Sequence, residues 1–296
     1  MARTISVGLD GSPESRAAAE WAAREAELRA GTLRIVHVAE APPRLIARNP
    51  LLDLEGWLHQ TDRMAREAAE DIRRRHPGIE VTTEHLTGTV ADGLCEAAGA
   101  AELLVLGSRG LGGLGGFLAG SVSLAVVARA EHPVVLVRAA EHPGGGPDPA
   151  SGPGAPRPVV LGVDIDEPAD ALLEFAFRMA VRRTAPLKAV HAWPEPPPSV
   201  TGFRGDAERD DSLHRGQAAL LTKTLRPWRR RFPDVEVTEA SRRGSAAQIL
   251  VHESRGASLV VVGRRVRTAS VGAHLGHVTH AALHHVAVPV AVVAHG

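Results

Sequence analysis

Val7-Gly8-Leu9-Asp10 and Leu161-Gly162-Val163-Asp164 are one motif written twice, 154 residues apart. Glu20-Trp21-Ala22 returns as Glu174-Phe175-Ala176, Arg24 as Arg178 and Val36-His37 as Val190-His191, all at that separation. Further along, Pro77, Gly88, Gly107, Gly120 and Pro133 return as Pro233, Gly244, Gly263, Gly276 and Pro289, now 156 residues apart. Two registers held over this length establish an internal duplication, and the second copy has gained two net residues between its equivalents of Val38 and Pro77. Between the copies, Pro143-Gly144-Gly145-Gly146-Pro147-Asp148-Pro149 and Gly152-Pro153-Gly154-Ala155-Pro156 carry too much proline and glycine to continue a helix or a ladder. The reading is therefore a domain at 1–142, a linker at 143–156 and a second domain at 157–296.

Within the first copy, residues 4–9, 32–38, 79–86, 103–106 and 134–137 read as strands, with helices over 12–30, 52–75, 90–98 and 120–130. Ser12 followed by Pro13 and Glu14 is a helix start: a capping hydroxyl, a proline at the first helical position and an acid facing the dipole. The strands are apolar nearly throughout, which suits a sheet covered on both faces. Strand–helix alternation then gives an α/β fold: two tandem, doubly wound, five-stranded parallel-sheet domains of Rossmann-like type. Such sheets bind ligands outside the carboxyl ends of their strands, where the strand order reverses.

Composition narrows the function classes. At 296 residues the chain has room for two domains, and 44% hydrophobic against 23% charged residues can build ordinary cores. Lys+Arg and Asp+Glu are 34 each, which argues against a global nucleic-acid-binding surface. One cysteine, Cys95, excludes an internal disulfide and any multi-cysteine zinc site. The first residues lack the apolar run of a secretory leader, and the apolar region at 117–137 is interrupted by Arg129, Glu131, His132 and Pro133. The expectation is a cytoplasmic protein with no membrane contact.

The chemistry concentrates in the loop after the fourth strand, where Gly107-Ser108-Arg109-Gly110 leads through further glycines to Gly120-Ser121-Val122 at a helix start. Glycines let the backbone turn tightly and aim N–H groups at an anion, and the helix N-terminus adds its dipole. The loop is no P-loop, since no lysine follows its glycines. Its G-x-G-x-x-G match at 110–115 follows the wrong strand for a dinucleotide fold and has no ribose-binding acid on the next one. What it does satisfy is Gly-x2-Gly-x9-Gly-Ser, through Gly107, Gly110, Gly120 and Ser121.

With Asp10-Gly11-Ser12 at the end of strand one, this motif resembles the ATP-binding branch of the universal stress protein family, and the similarity covers both domains. The resemblance implies an adenine-nucleotide alpha hydrolase-like fold and ATP, with magnesium, in domain one. Phosphates and ribose would lie on Gly107, Ser108, Arg109, Gly110, Gly120, Ser121 and Val122. Gly8, Asp10 and Ser12 would lie at the nucleotide, with Asp10 available to ribose or to a magnesium ion bridging the phosphates, and the backbone of Val38 would contact adenine. Ser12-Pro13 supplies the helix cap, which leaves Asp10 for the ligand. The implied role is a nucleotide-responsive stress regulator or signalling module acting on a protein partner. The last strands offer a surface for pairing, including a homodimer. A ligand-free interaction scaffold and a slow ATPase or phosphotransferase using Asp10 and Arg109 are the alternatives.

The second copy departs from the pattern. Asp164, Ala192, Gly263, Arg264 and Gly276 stand at the corresponding positions, but Gly110 has become Val266 and Ser121 has become His277. Asp166 adds a carboxylate where the first copy has Ser12, while Arg264, Arg265 and Arg267 add positive charge. A β-branched residue resists positive φ, so Val266 is expected to alter the loop's path and weaken or abolish the second nucleotide site. His280 and His284, one turn apart, match a metal-binding spacing but have no acid or cysteine partner nearby in sequence.

Overall fold

The structure, a computed structural model, describes residues 3–40, 54–108, 120–139, 156–194, 207–266 and 275–296, with the backbone alone at 54–62 and 207–210. Arg109, Gly110, Arg267 and most of the linker lie outside the described residues. The chain divides into two compact units, Met1–Gly145 and Gly146–Gly296.

In the first unit, β1 (Thr4–Gly8), α1 (Pro13–Arg29), β2 (Thr32–Ala39), α2 (Leu54–Arg75), β3 (Glu80–Thr87), α3 (Val90–Gly99), β4 (Leu103–Ser108), α4 (Ser121–Arg129) and β5 (Val134–Arg138) alternate along the chain. The strands form a parallel sheet in the order β3-β2-β1-β4-β5. The order reverses between β1 and β4, and the register sets Val7 beside Val105 there. Leu103, Leu104 and Val105 are consecutive and all fully buried, as a strand covered on both faces requires. The alanine face of α1 (Ala18, Ala19, Ala22, Ala23, Ala26) is buried with it, and small side chains let the helix lie close to the sheet.

The second unit repeats this with β6 (Val159–Gly162), α5 (Asp170–Arg182), β7 (Leu187–Trp193), α6 (Ala207–Arg231), β8 (Val237–Arg243), α7 (Ala246–Glu253), β9 (Leu259–Arg265), α8 (His277–His285) and β10 (Val290–His295). Its parallel order is β8-β7-β6-β9-β10.

The two first helices differ inside and at their starts. In α1, Arg29 and Glu25 form a buried ion pair at 2.8 Å, and Arg29 reaches Glu102 at 3.2 Å, tying the helix to the start of β4. In α5 the pair is replaced by Arg183 beside the Met179 sulfur at 3.5 Å. His76, after α2, is held between Glu27 and Glu20 of α1 at 2.9 and 3.1 Å. At its N-terminus α1 is capped by Ser12, whose hydroxyl accepts from Ser15 N–H at 3.1 Å. Helix α5 begins three residues later in the aligned sequence, at Asp170, and Ala169 gives it no side-chain cap.

Candidate functional site

The C-terminal ends of β1, β2 and β4 bring the first unit's predicted residues to one edge of the sheet. Gly8 closes β1, and a Cβ there would lie 2.7 Å from Leu106 and 3.0 Å from Leu94. Gly107 is tighter: its Cβ would stand 2.6 to 2.8 Å from Glu14 C, Ser15 N and Glu14 O, all backbone. Only glycine lets β4 pass directly beneath the first turn of α1. Gly11 takes a φ of +83°, which carries the chain from β1 into that turn.

Asp10 is exposed, but its carboxylate is engaged. Oδ1 accepts the Ser12 N–H at 3.0 Å and the Ser12 hydroxyl at 2.5 Å, while the Asp10 N–H donates to Ser15 Oγ at 3.4 Å. One hydroxyl thus serves both the helix cap and the carboxylate, accepting from Ser15 N–H and donating to Asp10. Ser15, which sequence reasoning passed over, completes the turn by donating to Ser12 O at 3.0 Å.

Val38 is buried against α3, where a Cβ on Gly93 would lie 2.9 Å from its side chain. His37, beside it, bonds through Nδ1 to Leu9 O at 2.8 Å and fastens the ends of β1 and β2 together. Ser108 is buried in β4 opposite Arg138. Gly120 is the N-cap of α4 with no side-chain cap, and a Cβ there would have nothing within 4 Å. Ser121 and Val122 follow it, exposed, on the first turn. The helix is oriented by Ser123, whose hydroxyl donates to Gly107 O at 3.1 Å. Thr279 does the same for Gly263 O at 2.7 Å. The hydroxyls at 123 and 279 recur at the 156-residue separation, a signal present in the sequence.

In the second unit a cavity of about 820 Å³ opens at the corresponding edge, lined among others by Gly162, Asp164, Ala192, Gly263 and Gly276. Gly162 has room that Gly8 lacks, its Cβ meeting nothing nearer than 3.6 Å. The space over Gly263 is filled by side chains where Gly107 meets helix backbone: His295 Nε2 would lie 2.6 Å from a Cβ and Leu172 3.2 Å. Arg264 is buried, and Arg265 is the arginine that lines the cavity. Its guanidinium pairs with Glu167 and stands 4.0 Å from Asp164. Val266 has no positive φ; its N–H bonds to His295 O at 2.7 Å and lengthens the β9–β10 ladder by a residue.

The profile of the universal stress protein family matches residues 1–138 and again 156–294. The chain belongs to the universal stress protein family. A universal stress protein of Mycolicibacterium smegmatis is 32% identical over 98% of this chain and 96% of its own length. One of Mycobacterium tuberculosis is 35% identical over 97% and 96%. The crystal structure of a universal stress protein from Archaeoglobus fulgidus superimposes with a TM-score of 0.69 at 18% identity, covering 100% of both chains. The family thus accounts for both copies of the motif, the divergent one included.

Electrostatics around the second cleft follow from burial. His295 is held below the ordinary imidazole range by burial first and then by Arg265. His280 is lowered by burial and by its neighbours His284 and His285. The His280 and His284 rings lie 4.3 Å apart, centroid to centroid, and no group of three or more metal-ligating side chains occurs among the described residues. No helix among the described residues is long and apolar enough to cross a membrane.

Proposed function

We propose that the chain binds an adenine nucleotide, ATP with magnesium, in its first unit and acts as a nucleotide-responsive regulator. The observation that supports this reading best is the start of α4. Gly120 opens the helix without a side-chain cap and with free space at its Cβ position, at the edge where the strand order reverses. Unsatisfied amides at a helix N-terminus take an anion well, and the dipole adds to the attraction. Arg109 and Gly110, from the same loop, belong to the proposed phosphate contacts. In this reading the backbone at Val38 would contact the base, a recognition that leaves no side-chain trace.

Magnesium typically takes one or two carboxylates together with phosphate oxygens, and Asp10 supplies one exposed carboxylate. Bound with ATP, the ion would neutralise phosphate charge, with Asp10 held in place by Ser12. In this reading a protein partner that prefers the ATP-bound form must tighten ATP binding by the same factor. Association of two chains through β5 or β10 belongs to the same reading, and sedimentation velocity with and without ATP tests it.

The experiment that tests the site is release of nucleotide from freshly purified, denatured protein, quantified by chromatography and mass, beside Gly120→Val. The backbone of Gly120 (φ −60°, ψ 149°) accepts a valine, and its Cβ position is open, so the variant should fold. About one adenine nucleotide per chain, absent from the variant, supports the reading. About two per chain would place nucleotide in the second unit as well. No release and no ATP binding by calorimetry would leave a ligand-free scaffold.

A further inference from the structure

We infer that the outer edge of β8 is a strand-pairing surface for a second copy of this chain, and that α6 holds it closed. The inference concerns the second unit alone and does not rest on nucleotide binding in the first.

The direction of the backbone comes first. Among the described residues β8 is the outermost strand of its sheet, bonded to β7 on one side. Glu236 O accepts from Leu187 N–H at 2.8 Å, and Gly244 N–H donates to Trp193 O at 2.9 Å, so the even-numbered residues face β7. The register runs without a break from Val237 to Arg243, and backbone groups alternate in direction along a strand. Val237, Glu239, Ser241 and Arg243 therefore turn their N–H and C=O groups outward, the pattern that an added strand extends.

Side chains of α6 occupy that edge. His214 Nε2 donates to Ser241 O at 3.2 Å, with its ring 6.3 Å from that of Trp193. Arg229 donates to Val237 O at 3.0 Å and to Glu239 Oε1 at 2.7 Å, and Thr222 donates to Glu239 Oε2 at 2.5 Å. Two outward carbonyls are thus taken by His214 and Arg229, both exposed residues that hold no place in the core.

The letters of the edge select the occupant. An antiparallel pairing centred on Ser241 sets Glu239 of one copy opposite Arg243 of the other, and does so on both sides of the centre by symmetry. Facing residues with outward backbone groups exchange both of their hydrogen bonds, and opposite charges across the strands add to the pairing. Ser241 O, at the centre, is the carbonyl that His214 covers. The first unit shares the arginine: Arg73 donates to Val81 O at 2.7 Å, each residue 156 places before Arg229 and Val237. It does not share the charges, having Thr83, His85 and Thr87 where β8 has Glu239, Ser241 and Arg243. The guard is common to both copies, but the self-complementary edge belongs to the second.

The test is sedimentation velocity of the full chain over a concentration series, with hydrogen exchange on the same samples. His214→Ala combined with Arg229→Ala should raise the mass about twofold over the wild type at matched concentration. It should also slow exchange at the amides of Glu239, Ser241 and Arg243. Each single variant should do the same more weakly, and the single variants carry the test if the double variant melts early. Adding Arg243→Glu sets like charges opposite each other and should return the mass to that of the wild type. Adding Glu239→Arg to that chain should restore the pairing. Arg230→Ala, which removes one charge from an exposed neighbour on α6, should leave the mass unchanged. Double and single variants that stay at the wild-type mass, equal association by Arg230→Ala, or association indifferent to Arg243→Glu would each overturn the inference. Pairing through β5 or β10 reads separately, since it would be present in the wild type and indifferent to Arg243→Glu.

Discussion

Gly107→Ala is a sharp probe of the first unit's architecture. The added methyl would stand 2.6 Å from Glu14 C, 2.7 Å from Ser15 N and 2.8 Å from Glu14 O, and backbone cannot swing aside as a side chain tip can. To restore contact near 3.4 Å, the first turn of α1 must retreat by roughly 0.8 Å, or β4 must bend away. Overpacking of this kind costs about 1–3 kcal/mol. In a domain of this size that is a fall of about 4–12 °C in melting temperature. The same retreat drags Ser12 and Ser15, and through them the Asp10 carboxylate, so under the proposed function ATP affinity should fall together with stability. Gly263→Ala is the matched control. Its methyl meets the tip of His295 and one Leu172 methyl, which rotate, so the cost should stay below about 1 kcal/mol. Differential scanning calorimetry of both variants, with hydrogen exchange at the start of α1, reads the difference. Equal losses for the two variants, or an unchanged melting temperature for Gly107→Ala, would refute the close approach of β4 to α1.

Glu25→Met imports the second unit's solution into the first and strands most of the charge on Arg29. Because Glu102 remains at 3.2 Å, the cost should fall at the low end for a broken buried pair, about 3 kcal/mol by chemical denaturation. Adding Arg29→Leu should recover part of it, and strictly additive losses would argue against coupling. Stability of the second unit should also depend on pH through His295 and His280, whose folded pKa values are depressed by burial and neighbouring positive charge. Below about pH 6.5 the unfolded state binds protons that the folded state refuses, so stability falls as pH drops through that range toward the folded values. Replacing His295 with leucine should flatten the slope between pH 7.5 and 5.5; a slope unchanged or reversed would contradict the assignment.

The fold was legible because it rests on local signals repeated twice. Gly8 and Asp10 end a strand, Ser12-Pro13 starts a helix, and the apolar runs alternate with helical ones in both copies. The edge that holds the candidate site followed from that topology alone. The interactions that distinguish the two clefts were not legible, since each depends on approach between distant segments. Spacing does not reveal that Glu167 takes Arg265, that His295 covers Gly263, or that α5 starts a turn later than α1. The double engagement of the Ser12 hydroxyl likewise needs the turn's three-dimensional path, because a capping serine and a free aspartate look the same in sequence. Ser123 and Thr279 were visible as a recurring hydroxyl, but their target, a strand-end carbonyl, carries no letter of its own.

Gly8 and Gly162 are the same letter at the same place in the repeat, yet they answer to different neighbours. The side-chain tips of Leu106 and Leu94 press on Gly8 closely enough that an added methyl would make them shift, whereas Leu250 and Val262 stand back from Gly162 at ordinary contact distance. A methyl placed at residue 162 would lose little in the folded chain and would restrict the unfolded one, a change worth about 0.4–1 kcal/mol where the backbone accepts it. A shared letter in a duplicated chain thus records common descent at both sites, but a standing physical demand at only one. The second half is accordingly the half open to redesign: its glycine can be surrendered, and its cleft reshaped, without disturbing the packing that fixes the first.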